Sequence, residues 1–461
     1  MKYHTQGLAF PYFVAALALF LVQVLAGLLA GTIYVFPNFL SETAPFHIIR
    51  MIHTNALLVW LLLGYFGASY FLIPEESERE IHSPKLAWLQ LGIFVFAALA
   101  AVGSYLSGVH EGREFLEQPF WVKILMVIAF LIFIYNITMT VLKGRKTVVS
   151  IVLLLGLWGA AIFFMFAFYN PDNLAVDKLY WWWVVHVWVE GVWELIMAAM
   201  LAFLLIKLTG VDREVIEKWL YVIVGFSLFS GLLGTGHHYY WIGAPEYWHW
   251  IGIIFSFLEV VPFFAMMLWA FYLVKKSGRD HPNKAAVLWS LGCPVMAFIG
   301  AGLLGMMHSF PSINFYTHGT QLTAAHGHLA FYGAYVMLNL AFFTYALPAL
   351  RKLQPFNQTL NIWSFWLMNA SMIGITFALV FAGILQTHLQ RVLEMGYMQV
   401  QSQIELFYWL RLGAGAFFII GALMFIYSAL GPARKSIDVK SRTLTPDDRS
   451  HNRTKNYRHG A

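Results

Sequence analysis

Ala325-His326-Gly327-His328 lies inside an apolar stretch that runs from about Gln321 to Leu350. The stretch is long enough to cross a bilayer as a helix. Histidine is poorly tolerated at that depth, so an ionisable residue there marks a functional site by default. Residues i and i+2 of a helix point about 200° apart. His326 and His328 therefore face opposite sides, and no single metal can take both. The pair suits two cofactors on either side of one helix, and two haems are the natural reading.

The rest of the chain agrees with a membrane setting. Of 461 residues 60% are hydrophobic and only 11% are charged, against about 25% charged in soluble domains. Twelve segments qualify as spans, near residues 10–36, 49–73, 86–107, 119–142, 148–169, 179–206, 217–241, 247–274, 285–308, 319–349, 359–388 and 404–430. The expected fold is thus an all-α integral membrane bundle of about twelve transmembrane helices. The first segment lacks a small-residue cleavage site and is long enough to span, so it reads as a helix and not a removable leader. The single Cys293 rules out an intrachain disulfide and a cysteine-held cluster. With the N-terminus inside, 23 of the 29 Lys and Arg fall on the inner side, which predicts cytoplasmic termini. That topology accounts for the net charge of +6 without nucleic acid. One domain is expected over 1–431, followed by a polar, basic tail, 432–461, whose composition reads as disordered. The acidic stretch Pro74–Glu80 reads as a solvated turn.

Seven of the 17 histidines fall at membrane depth: His53, His186, His237, His238, His308, His326 and His328. His308 stands apart at a helix end and reads as a bond to a neighbouring helix. In His186-Val187-Trp188-Val189-Glu190-Gly191-Val192-Trp193-Glu194 the first histidine and Glu190 are four apart, on one helical face. Glu194 continues that face. A charge at the bilayer centre costs roughly 2.5–3.5 kcal/mol even on lenient insertion scales, so two carboxylates on one stripe need a cation or a proton path. His237 and His238 follow Gly234-Thr235-Gly236 at a helix end, where both imidazoles can converge on one ion. Three imidazoles with one carboxylate form a harder set than copper usually meets, and they suit iron. Glu259 is a further carboxylate at depth, with a relay or supporting role. His53 on the second segment can pair with one member of the His326/His328 couple across a six-coordinate haem. Arg50, one turn earlier, is placed for a haem propionate.

With these strings on the page, the chain resembles the large catalytic subunits of bacterial cytochrome-c-dependent nitric oxide reductases, within the haem-copper oxidase superfamily. The match runs from His4 to Gly431. It rests on Met51-Ile52-His53-Thr54-Asn55, Gly112–Pro119, His186–Glu194, Gly234–Tyr239 and His318 through His328. The resemblance implies that His53 and His328 are axial ligands of a low-spin haem b, and His326 the proximal ligand of a high-spin haem b. It makes His186, His237, His238 and Glu190 ligands of a non-haem iron. Glu259 and Glu194 match acids beside that dinuclear site, and Glu114 matches a calcium ligand. The implied reaction converts two nitric oxide molecules to nitrous oxide and water. Electrons come from a membrane-anchored cytochrome c subunit, and protons from the outer side past Glu114, Glu117 or Asp177. The implied location is the bacterial inner membrane.

Three positions depart from the family pattern: a short outer loop before Gly112, His47 where many relatives carry Asn, and Leu304 in place of a larger aromatic. None removes a ligand. An oxygen-reducing haem-copper oxidase is the alternative. A metal transporter would need repeats that the sequence lacks, and a simple electron-transfer cytochrome b has no use for the second histidine cluster.

Overall fold

The computed structural model describes residues 1–40, 42–277, 281–352 and 357–432. These residues fold into helices α1 (His4–Val35), α2 (Phe46–Glu76), α3 (Pro84–Leu106), α4 (Phe120–Lys143), α5 (Val148–Phe166), α6 (Leu174–Thr209), α7 (Arg213–Tyr239), α8 (Tyr247–Ser277), α9 (Lys284–Ser309), α10 (Gln321–Leu350), α11 (Gln358–Val392) and α12 (Glu405–Leu430). Eleven are long and apolar enough to cross a membrane; α8 is the other expected span, 31 residues long with an apolar described run Tyr247–Leu258. No strand occurs among the described residues. Residues 433–461, and with them nearly all of the basic tail, lie outside the described part.

Three helices form the centre. In α2, α6 and α10 the apolar stretch is 83% buried, against 33–50% in the other eight spans of that group. Those three carry His53, His186 with Glu190, and His326 with His328, so each of these histidines enters from a helix hidden from lipid. The outer rows, by contrast, leave residues such as Phe96, Leu99, Trp363 and Phe417 facing outward, as a lipid-facing surface allows.

The inner ends are clasped by charge. Glu76 is 2% exposed and accepts two bonds of 2.8 Å from the Arg213 guanidinium and one of 2.6 Å from Thr147. Glu75 pairs with Lys207, and Glu80 accepts from the backbone of His4 and Thr5. This corrects the expectation of a solvated turn over Pro74–Glu80. Its carboxylates tie α2 to α1, α5, α6 and α7, because each sits where a basic or hydroxyl side chain or a free backbone N–H of another helix ends.

Candidate haem and metal centres

The helix α6 is not regular through its acidic stripe. Val187–Val192 forms a π turn, which corrects the expectation of an unbroken α-helix from His186 to Glu194. A π turn widens the helix and frees a carbonyl, and such turns cluster at functional sites. The carbonyl of Val189 is taken by the Tyr335 hydroxyl at 2.7 Å. Helix α7 approaches the turn closely: a Cβ on Gly231 would stand 3.3 Å from the Gly191 Cα. His237 and His238 lie in a 3-10 turn, Thr235–Tyr239, that ends α7. There α8 passes so near that a Cβ on Gly252 would meet the His237 nitrogen at 2.6 Å, so only glycine fits.

These turns bring His186, Glu190, His237 and His238 together. One ligand atom from each lies within 4.8 Å of the others. The Glu190 carboxylate is 3.4 Å from His186 Nδ1, 3.6 Å from His238 Nε2 and 4.0 Å from His237 Nε2. His238 Nε2 is buried with no hydrogen-bond partner, an orphan that a metal would satisfy. Metal–ligand bonds of about 2.1 Å place ligand atoms at most about 4.2 Å apart. Small side-chain rotations close the set, and the residues fit a metal ion. About a third of the Glu190 side chain, 35%, is open, and it opens onto the internal cavity.

Supporting residues fix the imidazoles. The Ser256 hydroxyl lies 2.6 Å from His237 Nδ1, which leaves Nε2 for the centre. The Trp182 indole stacks on the His238 ring at 4.9 Å and 10°. Neither role is legible in the sequence beyond position: Ser256 precedes Glu259 by three, and Trp182 precedes His186 by four. Glu194 is 8% exposed, beside Ser227. The Glu259 side chain lies outside the described residues.

A cavity of about 1020 Å³ runs past this cluster to His326, His328 and His53. Single small-molecule sites usually occupy about 300–1,000 Å³, so there is space for bulky cofactors. His326 Nδ1 is 2.9 Å from the Gly300 carbonyl, and Gly305 lies against its ring. On the other side of α10, His328 Nδ1 is 2.7 Å from the Ala324 carbonyl and His53 Nδ1 is 2.8 Å from the Gln23 carbonyl. Each Nδ1–H donates to a carbonyl, which leaves Nε2 as the free ligand atom. The His53 and His328 rings are stacked, with centroids 6.3 Å apart and planes 27° apart. Two imidazoles bonded to one metal at about 2 Å each would have centroids about 6 Å apart. The pair fits a bis-imidazole haem, and the opposite facing of His326 and His328 holds. The His308 ring lies 5.7 Å from that of His326.

At the outer end of the cavity Arg50 pairs with Glu117 at 3.0 Å, and Glu117 also accepts from Asn55 at 2.8 Å. Asp177 is paired with Arg113, and Glu114 lies 3.7 Å from Lys178. The loop 109–117 is held in place: Arg113 donates to the Ala167 carbonyl at 2.8 Å, and Trp181 to the Glu114 carbonyl at 3.1 Å. Arg411 also lines the cavity. An arginine within the apolar run of α12 is the signal that could have marked it.

The sequence matches the description "Cytochrome C and Quinol oxidase polypeptide I" over residues 7–417. The chain belongs to the cytochrome c and quinol oxidase polypeptide I family. It is therefore an oxidoreductase of a family that implies haem cofactors and a metal site. It is 54% identical over 450 residues to a nitric oxide reductase subunit of Stutzerimonas stutzeri, covering 93% of this chain and 95% of that one. A cytochrome c oxidase subunit 1 homolog of Agrobacterium tumefaciens (strain T37) is 24% identical over 437 residues, covering 88% and 80%. A haem-copper terminal oxidase dimer solved by cryo-electron microscopy superposes with a TM-score of 0.72 at 13% identity, covering 94% of this chain and 86% of that one. That likeness extends the shared fold beyond recognisable sequence.

Proposed function

We propose that this chain is the catalytic subunit of a nitric oxide reductase, reducing two nitric oxide molecules with two electrons and two protons to nitrous oxide and water. The observation that carries the reading is the Glu190 carboxylate among the three imidazoles of the metal cluster. A hard oxygen donor beside nitrogen donors favours iron over copper. The identity of 54% with the Stutzerimonas nitric oxide reductase chain supports the same conclusion.

In this reading His186, His237, His238 and Glu190 would hold a non-haem iron, His326 would hold a high-spin haem b, and His53 with His328 would hold a low-spin haem b. When bound, the two irons supply redox chemistry and Lewis acidity to the substrate. The chain's own residues do the rest. Ser256 and Trp182 hold the His237 and His238 rings in the plane that ligation needs. Glu190, Glu194 and Glu259 are the acids that move protons into an otherwise apolar cavity. Protons enter from the outer face past Glu117 and Asp177, and Glu114 contributes an oxygen ligand to a calcium ion. The two-residue spacing of His326 and His328 would set two haems on either side of α10, a short distance apart. A membrane-anchored cytochrome c subunit delivers the electrons. The catalytic domain spans 1–431 in the bacterial inner membrane with both termini cytoplasmic.

The purified complex tests this directly through its metals and product. Two b-type haems and one non-haem iron in this chain, with nitrous oxide formed from nitric oxide, are the expected result. One copper per chain with oxygen consumption would move the reading to an oxygen-reducing oxidase.

A further inference from the structure

Arg411 stands on the cavity wall at the end that holds His53 and His328. It enters α12 six residues after Glu405, as His53 enters α2 seven residues after Phe46. Both helices run inward from the outer face, so at about 1.5 Å per residue each side chain starts about 10 Å below it. A cation at that depth is costly and calls for a reason. Guanidinium does not deprotonate, so the charge persists at every working pH.

Two arginines line the cavity, and their surroundings differ. Arg50 is neutralised by Glu117 at 3.0 Å. No carboxylate among the described residues stands within ion-pair distance of Arg411. Aromatic rings hold it instead: its guanidinium carbon is 4.4 Å from the Tyr34 ring centre and 5.6 Å from that of Tyr408. Cation–π contacts position a charge and leave it unneutralised. On α1 the guanidinium lies beside Gly31, with Nη2 3.7 Å from where a Cβ would be, an ordinary van der Waals distance. Four residues earlier on α1, one helical turn away, Gly27 lies against the His53 ring, and Arg411, His53 and His328 line the same cavity.

We propose that Arg411 tunes the low-spin haem, as a fixed cation with no carboxylate of the described residues beside it, and favours the reduced iron held between His53 and His328. The proposal rests on the haem assignment made above. Ferric haem accepts one electron from the cytochrome c subunit and becomes ferrous, so the net positive charge beside Arg411 falls by one. Through a largely apolar cavity wall that interaction is screened less than in water. A neighbouring cation thereby raises the electron affinity of this haem relative to the same site without it. It acts as a positioned charge, with no part in the bond changes at the other haem.

The experiment is an optical redox titration of the low-spin haem in the intact complex, for the native chain, Arg411→Leu, Arg411→Gln and Arg411→Lys. Haem content and the bis-imidazole spectrum are recorded for each. Both neutral variants are expected to keep the haem and to lower its reduced-to-oxidised ratio at fixed potential about tenfold, a shift of about 59 mV for a one-electron couple. Arg411→Lys is expected to recover most of the native potential, which a purely structural role would not require. Arg411→Gln keeps length and polarity, and it supplies the measurement if the leucine variant loses haem. An unchanged midpoint in a neutral variant with an intact low-spin spectrum overturns the proposal. A native complex without any bis-imidazole haem overturns the haem assignment itself, and the proposal with it.

Discussion

The Tyr335 hydroxyl donates to the Val189 carbonyl across 2.7 Å, which joins the helix of His326 and His328 to the π turn that carries Glu190. Tyr335 itself lies in a second π turn, Tyr332–Val336. The two irregular turns therefore brace each other. One supplies a carbonyl released from regular helical bonding, and the other aims a hydroxyl at it. Trp193 packs edge-on against Tyr335 at 5.3 Å and completes the brace.

Removing that hydroxyl is expected to loosen the metal cluster without touching a ligand. Tyr335→Phe leaves the half-buried Val189 carbonyl unpaired, at a cost of up to about 1–3 kcal/mol. A lower thermal midpoint and reduced non-haem iron, with both haems retained, is the expected outcome. Iron occupancy and stability equal to those of the native chain would show that the π turn needs no brace.

Glu190→Ala is expected to lower non-haem iron occupancy or nitric oxide turnover severely, because three neutral imidazoles then hold a dication with no compensating charge. Glu190→Asp shortens the reach by one methylene and is expected to be only partly tolerated, since ligand distances hold to about 0.2 Å. Haem content survives both changes. The measurement is the iron-to-haem ratio together with nitrous oxide formation. Native iron content with near-native turnover in the alanine variant would remove Glu190 from the mechanism.

His326 and His328 are expected to separate cleanly. His328→Ala removes the partner of His53 and abolishes the low-spin haem spectrum. His326→Ala disturbs the high-spin haem and leaves a six-coordinate one in place. Optical and electron paramagnetic spectra of the two variants decide the matter, and loss of the same haem from both would sink the opposite-faces argument.

Ser256→Ala tests the support behind the cluster. The His237 Nδ1 loses its partner at 2.6 Å, and the ring is free to rotate or change tautomer. Loss of such a supporting bond typically weakens metal affinity about 10–100-fold. Iron retention during dialysis against a chelator is the readout. Retention equal to the native chain would mean that the packing of α8 alone orients His237.

How much of this was written in the sequence differs from residue to residue. The apolar segments determined the helices, because twenty-odd apolar residues have no other stable state in a bilayer. The spacing of His326 and His328 determined that they face apart, since helical rotation per residue is a local property. The grouping of His186 with Glu190 was also local. Uniting them with His237 and His238 was not, because α6 and α7 come together beside the cluster through a close glycine contact at Gly191 and Gly231. The π turn at Val187–Val192 escaped the sequence too: a widened turn is held by a distant hydroxyl, and Tyr335 is 146 residues away. Arg411 and Glu76 show the same divide. Charge within or beside an apolar run is visible in the chain, but its meaning depends on what packing brings to it. For Glu76 that is an arginine from α7, and for Arg411 two aromatic rings and a pair of stacked histidines. Periodicity and burial preference act along the chain and so can be read there. Partnership is decided where helices cross, and only the folded bundle specifies those crossings.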